Sequence, residues 1–151
     1  MNHPLLDPHD TIAWDMDGTL IDGPNSEFFR AYILAHPEKH HHIVTFRTGP
    51  SRRFPDNASA LWKDDAIHEL LEHGVALDVF KATHGIPEEL YSAWASRKTL
   101  LSEAEVAAYV MWKGKMAAEI GATVMVDDMP GMVKKGCKAH GVVFIDANLE
   151  T

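Results

Sequence analysis

Five short apolar runs recur along the chain, each separated from the next by a stretch of helical character, and this alternation narrows the fold more than any other feature. The runs are "TIAW" (11–14), "HIVTF" (42–46), "VALDVF" (75–80), "TVMVD" (123–127) and "VVFID" (142–146), all rich in β-branched or aromatic residues. Several lack polar alternation, as strands covered on both faces do. Between them, "SEFFRAYILAH" opens at Ser26, a candidate cap, and ends at Pro37. "NASALWKDDAIHELLEHG" sets Leu61, Ile67, Leu70 and Leu71 on one side and stops at Gly74. "SEAEVAAYVMWKGKMAAEIG" runs from Ser102 to Gly121, and "PGMVKKGCKAHG" from Pro130 to Gly141. Strand and helix in succession predict an α/β fold, a three-layer α/β/α Rossmann-like, doubly wound parallel sheet of about five strands. Residues 84–101, "HGIPEELYSAWASRKTLL", exceed the usual connection. They read either as a small helical cap insert in an otherwise single domain spanning 1–151 or as a segment whose Ile86, Leu90, Tyr91 and Trp94 pack on the domain's own core.

Composition bounds the partners. At 151 residues and 46% hydrophobic the chain suits one domain with a real core. A net charge of -8 and a pI near 5.6 argue against a general nucleic-acid or anionic-membrane binder. Nucleic acid is expected as a partner only through a phosphorylated end. Cys137 is the lone cysteine, so neither an intramolecular disulfide nor a multi-cysteine metal site can form, and a reducing compartment fits. The opening "MNHPLLDPHD" has no signal-like apolar run, and no stretch approaches the ~20 residues that cross a bilayer. A cytoplasmic protein with no membrane partner is expected.

The chemistry gathers where the strands end. In open parallel sheets the ligand crevice lies outside the carboxyl ends of the strands. Asp15 and Asp17 follow the first strand, Thr45 closes the second, and Asp127 and Asp128 close the fourth, with Lys113 or Lys115 on the helix leading into it. Residues two apart on an extended segment face the same side, so Asp15 and Asp17 can address one group. Gly18 lets the chain turn away after them. Carboxylates converging from two strands repel one another unless a cation sits among them. All-oxygen ligation suits Mg²⁺, whereas zinc would favour His or Cys.

"DMDGT", a threonine ending the second strand, a lysine, and "VDDMP" together resemble the four ordered motifs of the haloacid dehalogenase (HAD) superfamily, of small-cap phosphatase type. The resemblance spans residues 11–146. It implies a Mg²⁺-dependent phosphomonoester hydrolase in which Asp15 is the nucleophile, forming an aspartyl-phosphate, and Asp17 the general acid and base. Thr45 would hold a phosphoryl oxygen, and Lys113, whose spacing fits the family better than that of Lys115, would neutralise the nucleophile and the phosphoryl group. The metal set would be Asp15, Asp17 through its carbonyl, and Asp128 directly, with Asp127 in the outer shell. Gly18, Phe46 and Arg47 complete the expected substrate contacts, on a phosphorylated small molecule or nucleotide. A carbon-halogen dehalogenase by family pattern lacks the second acid, which Asp17 supplies here. A phosphotransferase or phosphomutase of the same superfamily, or a catalytically silent phosphoryl- or metal-binding regulatory module, stands as the alternative. With so little cap, a homodimer or a bulky substrate would cover the crevice.

Blander expectations apply elsewhere. "HHH" at 40–42 reads as a solvated turn, and Arg52 and Arg53 equally as contacts for a substrate anion or as soluble surface. Trp62, Trp94, Trp112 and Phe46 are more often core than nucleobase platforms. Met125, Met129 and Met132 read as packing, Cys137 as an inert thiol, and Asp22 as a brace for the turn after the motif.

Overall fold

The computed structural model describes residues 1–48, 52–53, 66–96 and 103–149. In chain order these form β1 (Thr11–Trp14), α1 (Ser26–Ala35), β2 (His40–Thr48), β3 (Arg52–Arg53), α2 (Ala66–Glu72), β4 (Phe80–Ile86), α3 (Glu88–Ser96), α4 (Glu103–Glu119), β5 (Val124–Asp127), α5 (Pro130–Ala139) and β6 (Val143–Asp146). The strands make one six-stranded sheet in the order β3-β4-β2-β1-β5-β6. β4, β2, β1, β5 and β6 are parallel, and the two-residue β3 lies antiparallel at the edge. The chain winds outward from β1 through β2 to β4, then crosses back to β5 on the other flank of β1. The winding direction therefore reverses around β1, and in open α/β sheets it is outside the carboxyl ends of the strands at such a point that ligands bind. This is the predicted doubly wound, Rossmann-like α/β architecture.

Alternate residues of the central strands feed two cores. Ile12, Trp14, Ile43, Val124 and Val126 pack with Phe29, Tyr32 and Ile33 of α1 and Leu70 of α2. Ala13, Val44 and Met125 pack on the other face with Tyr109 and Trp112 of α4 and Val133 and Cys137 of α5. Among the described residues no helix is long and apolar enough to cross a membrane.

Several expectations need correction. The third strand is Phe80–Ile86, not 75–80, because Leu77–Val79 is a turn of 3-10 helix. The polar look of "KATHG" hid it, yet Thr83 and His84 are buried. Residues 84–86 thus belong to the sheet, with Ile86 in the core, and only α3 follows as a separate helix. On α3, Leu90 packs on the core and Tyr91 is exposed, while the Trp94 side chain lies outside the described ones. The helix expected from 57 to 74 is described at 66–72, where Leu70 is buried but Leu71 exposed; Leu61, Trp62 and the Ile67 side chain lie outside the described residues. Ser26 is the first residue of α1 rather than its cap, and its Oγ accepts the Gly23 N–H at 2.9 Å. Met129 is exposed rather than packed.

The histidines at 40–42 are strand, not turn. His41 is fully buried: the Trp14 indole N–H donates to its Nδ1 at 3.0 Å, so Nε2 carries the proton and donates to the His36 carbonyl at 2.9 Å. His42 stacks on His84, ring nitrogens 3.3 Å apart. The His41 pairing needs a neutral ring, and the His42–His84 contact needs at least one. Burial, first of all, lowers all three below the ordinary histidine value, His42 to about 4, with His84, His40, His41 and Lys81 pushing His42 the same way.

α4 and α5 meet at two glycines. A Cβ on Gly114 would land on the Gly136 carbonyl carbon and the Cys137 amide, so α4 reaches its seat only because position 114 has no side chain. Lys113 is the next residue. Gly114→Ala is therefore expected to cost about 3 kcal/mol by overpacking, read as a lower urea midpoint. A midpoint within error of wild type would show that the helices yield there.

A second outcome concerns acid. A neutral buried histidine gives stability present above the unfolded value of 6.5 and lost as pH falls towards the folded one, about 4 for His42. Asp127 and Asp128, both raised, titrate in the opposite sense, so the informative quantity is the difference between wild type and His42→Leu. Between about pH 7 and about pH 4.5 the variant is expected to lose less stability than wild type. Parallel pH profiles from urea unfolding would contradict this account of the histidine pair.

Candidate functional site

β1 is central and short, so the chain leaves the sheet at Asp15, whose amide still donates to the Val126 carbonyl at 3.0 Å. The next turn is tightly closed. The Met16 carbonyl accepts the amides of Thr19, Leu20 and Ile21, and the Gly18 amide donates to Ile21 at 2.7 Å. Gly18 is required twice over: its φ is +80°, and a Cβ there would collide with the Asp128 carboxylate. Asp22 adopts φ 59°, an uncommon conformation for a residue with a side chain.

At the centre lies the Lys113 ammonium. Its Nζ donates to Asp15 Oδ1 and to Asp127 Oδ2, each at 2.6 Å, and the three side chains are 1%, 7% and 0% exposed. Burial acts to lower Lys113, but Asp15 and then Asp127 outweigh it and hold the ammonium above its ordinary range. Lys115 is exposed. Nζ also sits 4.4 Å from the Phe46 ring centroid, and Tyr109 stacks on that ring, centroids 4.6 Å apart. Phe46 thus packs within the fold against Tyr109, Trp112 and Lys113 of α4.

Both remaining oxygens of Asp15 and Asp127 are answered. Thr19 Oγ1 donates to Asp15 Oδ2 at 3.3 Å, and the Met129 amide donates to Asp127 Oδ1 at 2.9 Å. Asp128 differs: its Oδ1 is buried with no hydrogen-bond partner among the described residues. Burial pushes its carboxyl up to about 7, helped by Asp15 and then Asp127. Asp15, Asp127 and Asp128 each offer an oxygen within 4.8 Å of the others. Three carboxylates and one ammonium leave net negative charge here, which a proton on Asp128 or a divalent cation would relieve. The donor set is oxygen alone, so it fits Mg²⁺ rather than zinc.

Asp17 faces a different environment. Arg47 grips both its oxygens, Nε to Oδ2 at 2.9 Å and a terminal nitrogen to Oδ1 at 2.6 Å, and these bonds hold the Asp17 carboxyl below its usual range. Thr45, expected to close β2, lies instead three residues before its last one; it is buried and accepts the Arg47 amide on Oγ1 at 3.1 Å. The fold therefore gathers Asp15, Asp17, Gly18, Thr45, Phe46, Arg47, Lys113, Asp127 and Asp128 at one edge. Sequence reading gave no role to Thr19, though its place four residues after Asp15 in "DMDGT" was a usable signal, nor to Glu69, 3.7 Å from Arg47. Cys137 stands apart, its thiol pushed up to about 12 by burial.

No family model matches the chain, and no curated protein does. Among solved structures it is similar to an uncharacterized protein from Corynebacterium glutamicum ATCC 13032 Kitasato, at 17% identity over 94% of this chain and 85% of that one, with a TM-score of 0.43.

Lys113→Met would leave Asp15 and Asp127 buried without their cation, and a cost of about 3–5 kcal/mol is expected, measured by urea unfolding in EDTA. A loss below about 1 kcal/mol would mean that protonation of the two acids replaces the ammonium at little expense.

Proposed function

We propose that the chain is a Mg²⁺-dependent phosphomonoester hydrolase of the HAD type, acting through an aspartyl-phosphate on Asp15. The observation that carries this reading is the buried Lys113 ammonium bridging Asp15 and Asp127 beside the unpartnered oxygen of Asp128. A merely structural ion pair has no use for that third carboxylate.

Asp15 attacks phosphorus, and the bond from phosphorus to the ester oxygen breaks as Asp17 gives that oxygen its proton. In the second half a water attacks the same phosphorus, Asp17 takes the water's proton, and the bond to Asp15 breaks. Inorganic phosphate leaves and both acids return to their starting states. Lys113 holds the Asp15 carboxylate in place and offsets charge on the transferring group. Thr45 supports a phosphoryl oxygen. Asp15, Asp128 and the Asp17 carbonyl would hold Mg²⁺, with Asp127 behind them. When bound, the ion supplies the positive charge that lets these carboxylates stay ionised together and polarises the phosphoryl group. A phosphorylated small molecule or nucleotide is the proposed substrate, with α3 or a second copy of the chain beside the crevice.

Turnover of p-nitrophenyl phosphate is expected with Mg²⁺, to stop with EDTA, and to fall by about a thousandfold or more in Asp15→Asn. Acid quench with phosphate-labelled substrate should trap label on Asp15. Label on another residue would overturn the nucleophile, and no turnover over a broad phosphoester panel would favour the silent regulatory module.

A further inference from the structure

The mechanism leaves one two-pronged ion pair unexplained. Asp17 has both oxygens engaged by the Arg47 guanidinium, at 2.9 and 2.6 Å, so it has none to offer a leaving oxygen. A planar fork matched to a carboxylate is directional, and only another anion or a strong acceptor replaces it well. The pair lies on the solvent side of the site. The Asp17 and Arg47 side chains are 54% and 34% exposed, whereas Asp15, Lys113 and Asp127 are sealed. Glu69, half-exposed on α2, lies 3.7 Å from the same terminal nitrogen of Arg47. The guanidinium therefore sits between two outer carboxylates, at the end of a flexible stem whose backbone amide is fixed by Thr45.

Two cationic duties are thus separated in space. Lys113 meets the inner carboxylates, where the transferring phosphoryl group is proposed to sit. Arg47 is held instead on Asp17, the acid proposed to serve the leaving oxygen. A substrate whose only charge is the scissile phosphoryl group has nothing there to take the guanidinium. A substrate with a second anionic group does.

Resting on the phosphatase reading above, we propose that the substrate class is phosphomonoesters whose leaving group carries a second anionic group, a carboxylate or a further phosphate, and that Arg47 moves from Asp17 to that group on binding. The exchange frees the Asp17 oxygens, one of which takes a proton from solvent and then gives it to the ester oxygen. Selectivity and activation then come from one side-chain movement: the correct leaving group removes the residue that blocks the acid.

The test uses matched pairs with Mg²⁺ present: 3-phosphoglycerate against glycerol phosphate, and adenosine 3′,5′-bisphosphate against adenosine 5′-monophosphate. Wild type is expected to favour the doubly anionic member of at least one pair by about tenfold to a hundredfold in kcat/KM. Arg47→Ala should bring that ratio close to one, and Arg47→Lys, which keeps the charge but not the fork, should leave an intermediate ratio with most of the loss in KM. Equal kcat/KM within both pairs in wild type overturns the proposal, as does a preference that survives in a folded Arg47→Ala. No turnover of any of these esters or of p-nitrophenyl phosphate would overturn the phosphatase reading, and this inference with it.

Discussion

Everything at the carboxyl edge of the sheet depends on a single buried ammonium. Lys113, Asp15 and Asp127 come from three separate elements, α4, the end of β1 and the end of β5, and meet within hydrogen-bonding distance in a sealed interior. Burying three charges is costly unless each is answered by geometry as well as by sign. Here the fold supplies that geometry: the Thr19 hydroxyl and the Met129 amide take the carboxylate oxygens that Lys113 does not. The ammonium thereby ties helix to sheet, and Gly114, the next residue, gives α4 the close seat on α5 that Lys113's reach requires.

The sheet order makes that meeting available. β1 is flanked by β2 and β5, so Thr45 and Asp127 fall on either side of Asp15 without any long loop. The tight turn at 15–21 then folds back, and the missing side chain at Gly18 leaves room for Asp128. The cost of this crowding is the unanswered Asp128 oxygen. A structure selected only for stability would give that atom a donor, and the proposed metal is the simplest reason to leave it without one.

The fold and the site were legible in the sequence to different degrees. Short β-branched runs placed β1, β2, β5 and β6 within a few residues, because strands buried on both faces carry an apolar signal. β4 was misplaced because Thr83 and His84 are buried by pairing and ring stacking rather than by hydrophobicity. The histidine run failed for the same reason: the partner that satisfies His41 is Trp14, on another strand, and no local pattern announces it. Among site residues, the acids and Lys113 could be read because spacing and strand ends carry them. The Arg47 grip on Asp17 spans thirty positions and depends on the irregular pairing of β2 between Thr45 and Thr48, so the sequence offered Arg47 as a nearby cation but not as the partner of that acid.

The contrast between the two ion-pair systems follows from their exposure. In the inner one, removing a partner strands a charge in a dry interior, so its groups hold fixed positions throughout a reaction. In the outer one, solvent screens Arg47 and Asp17, and exposed pairs of this kind contribute about 1 kcal/mol or less. An interaction that weak to break, but that specific in shape, suits exchange better than support. One acid–cation pairing is thus sealed around Lys113 and the other open to solvent at Arg47, and under the proposed exchange it is the open one that a ligand would displace.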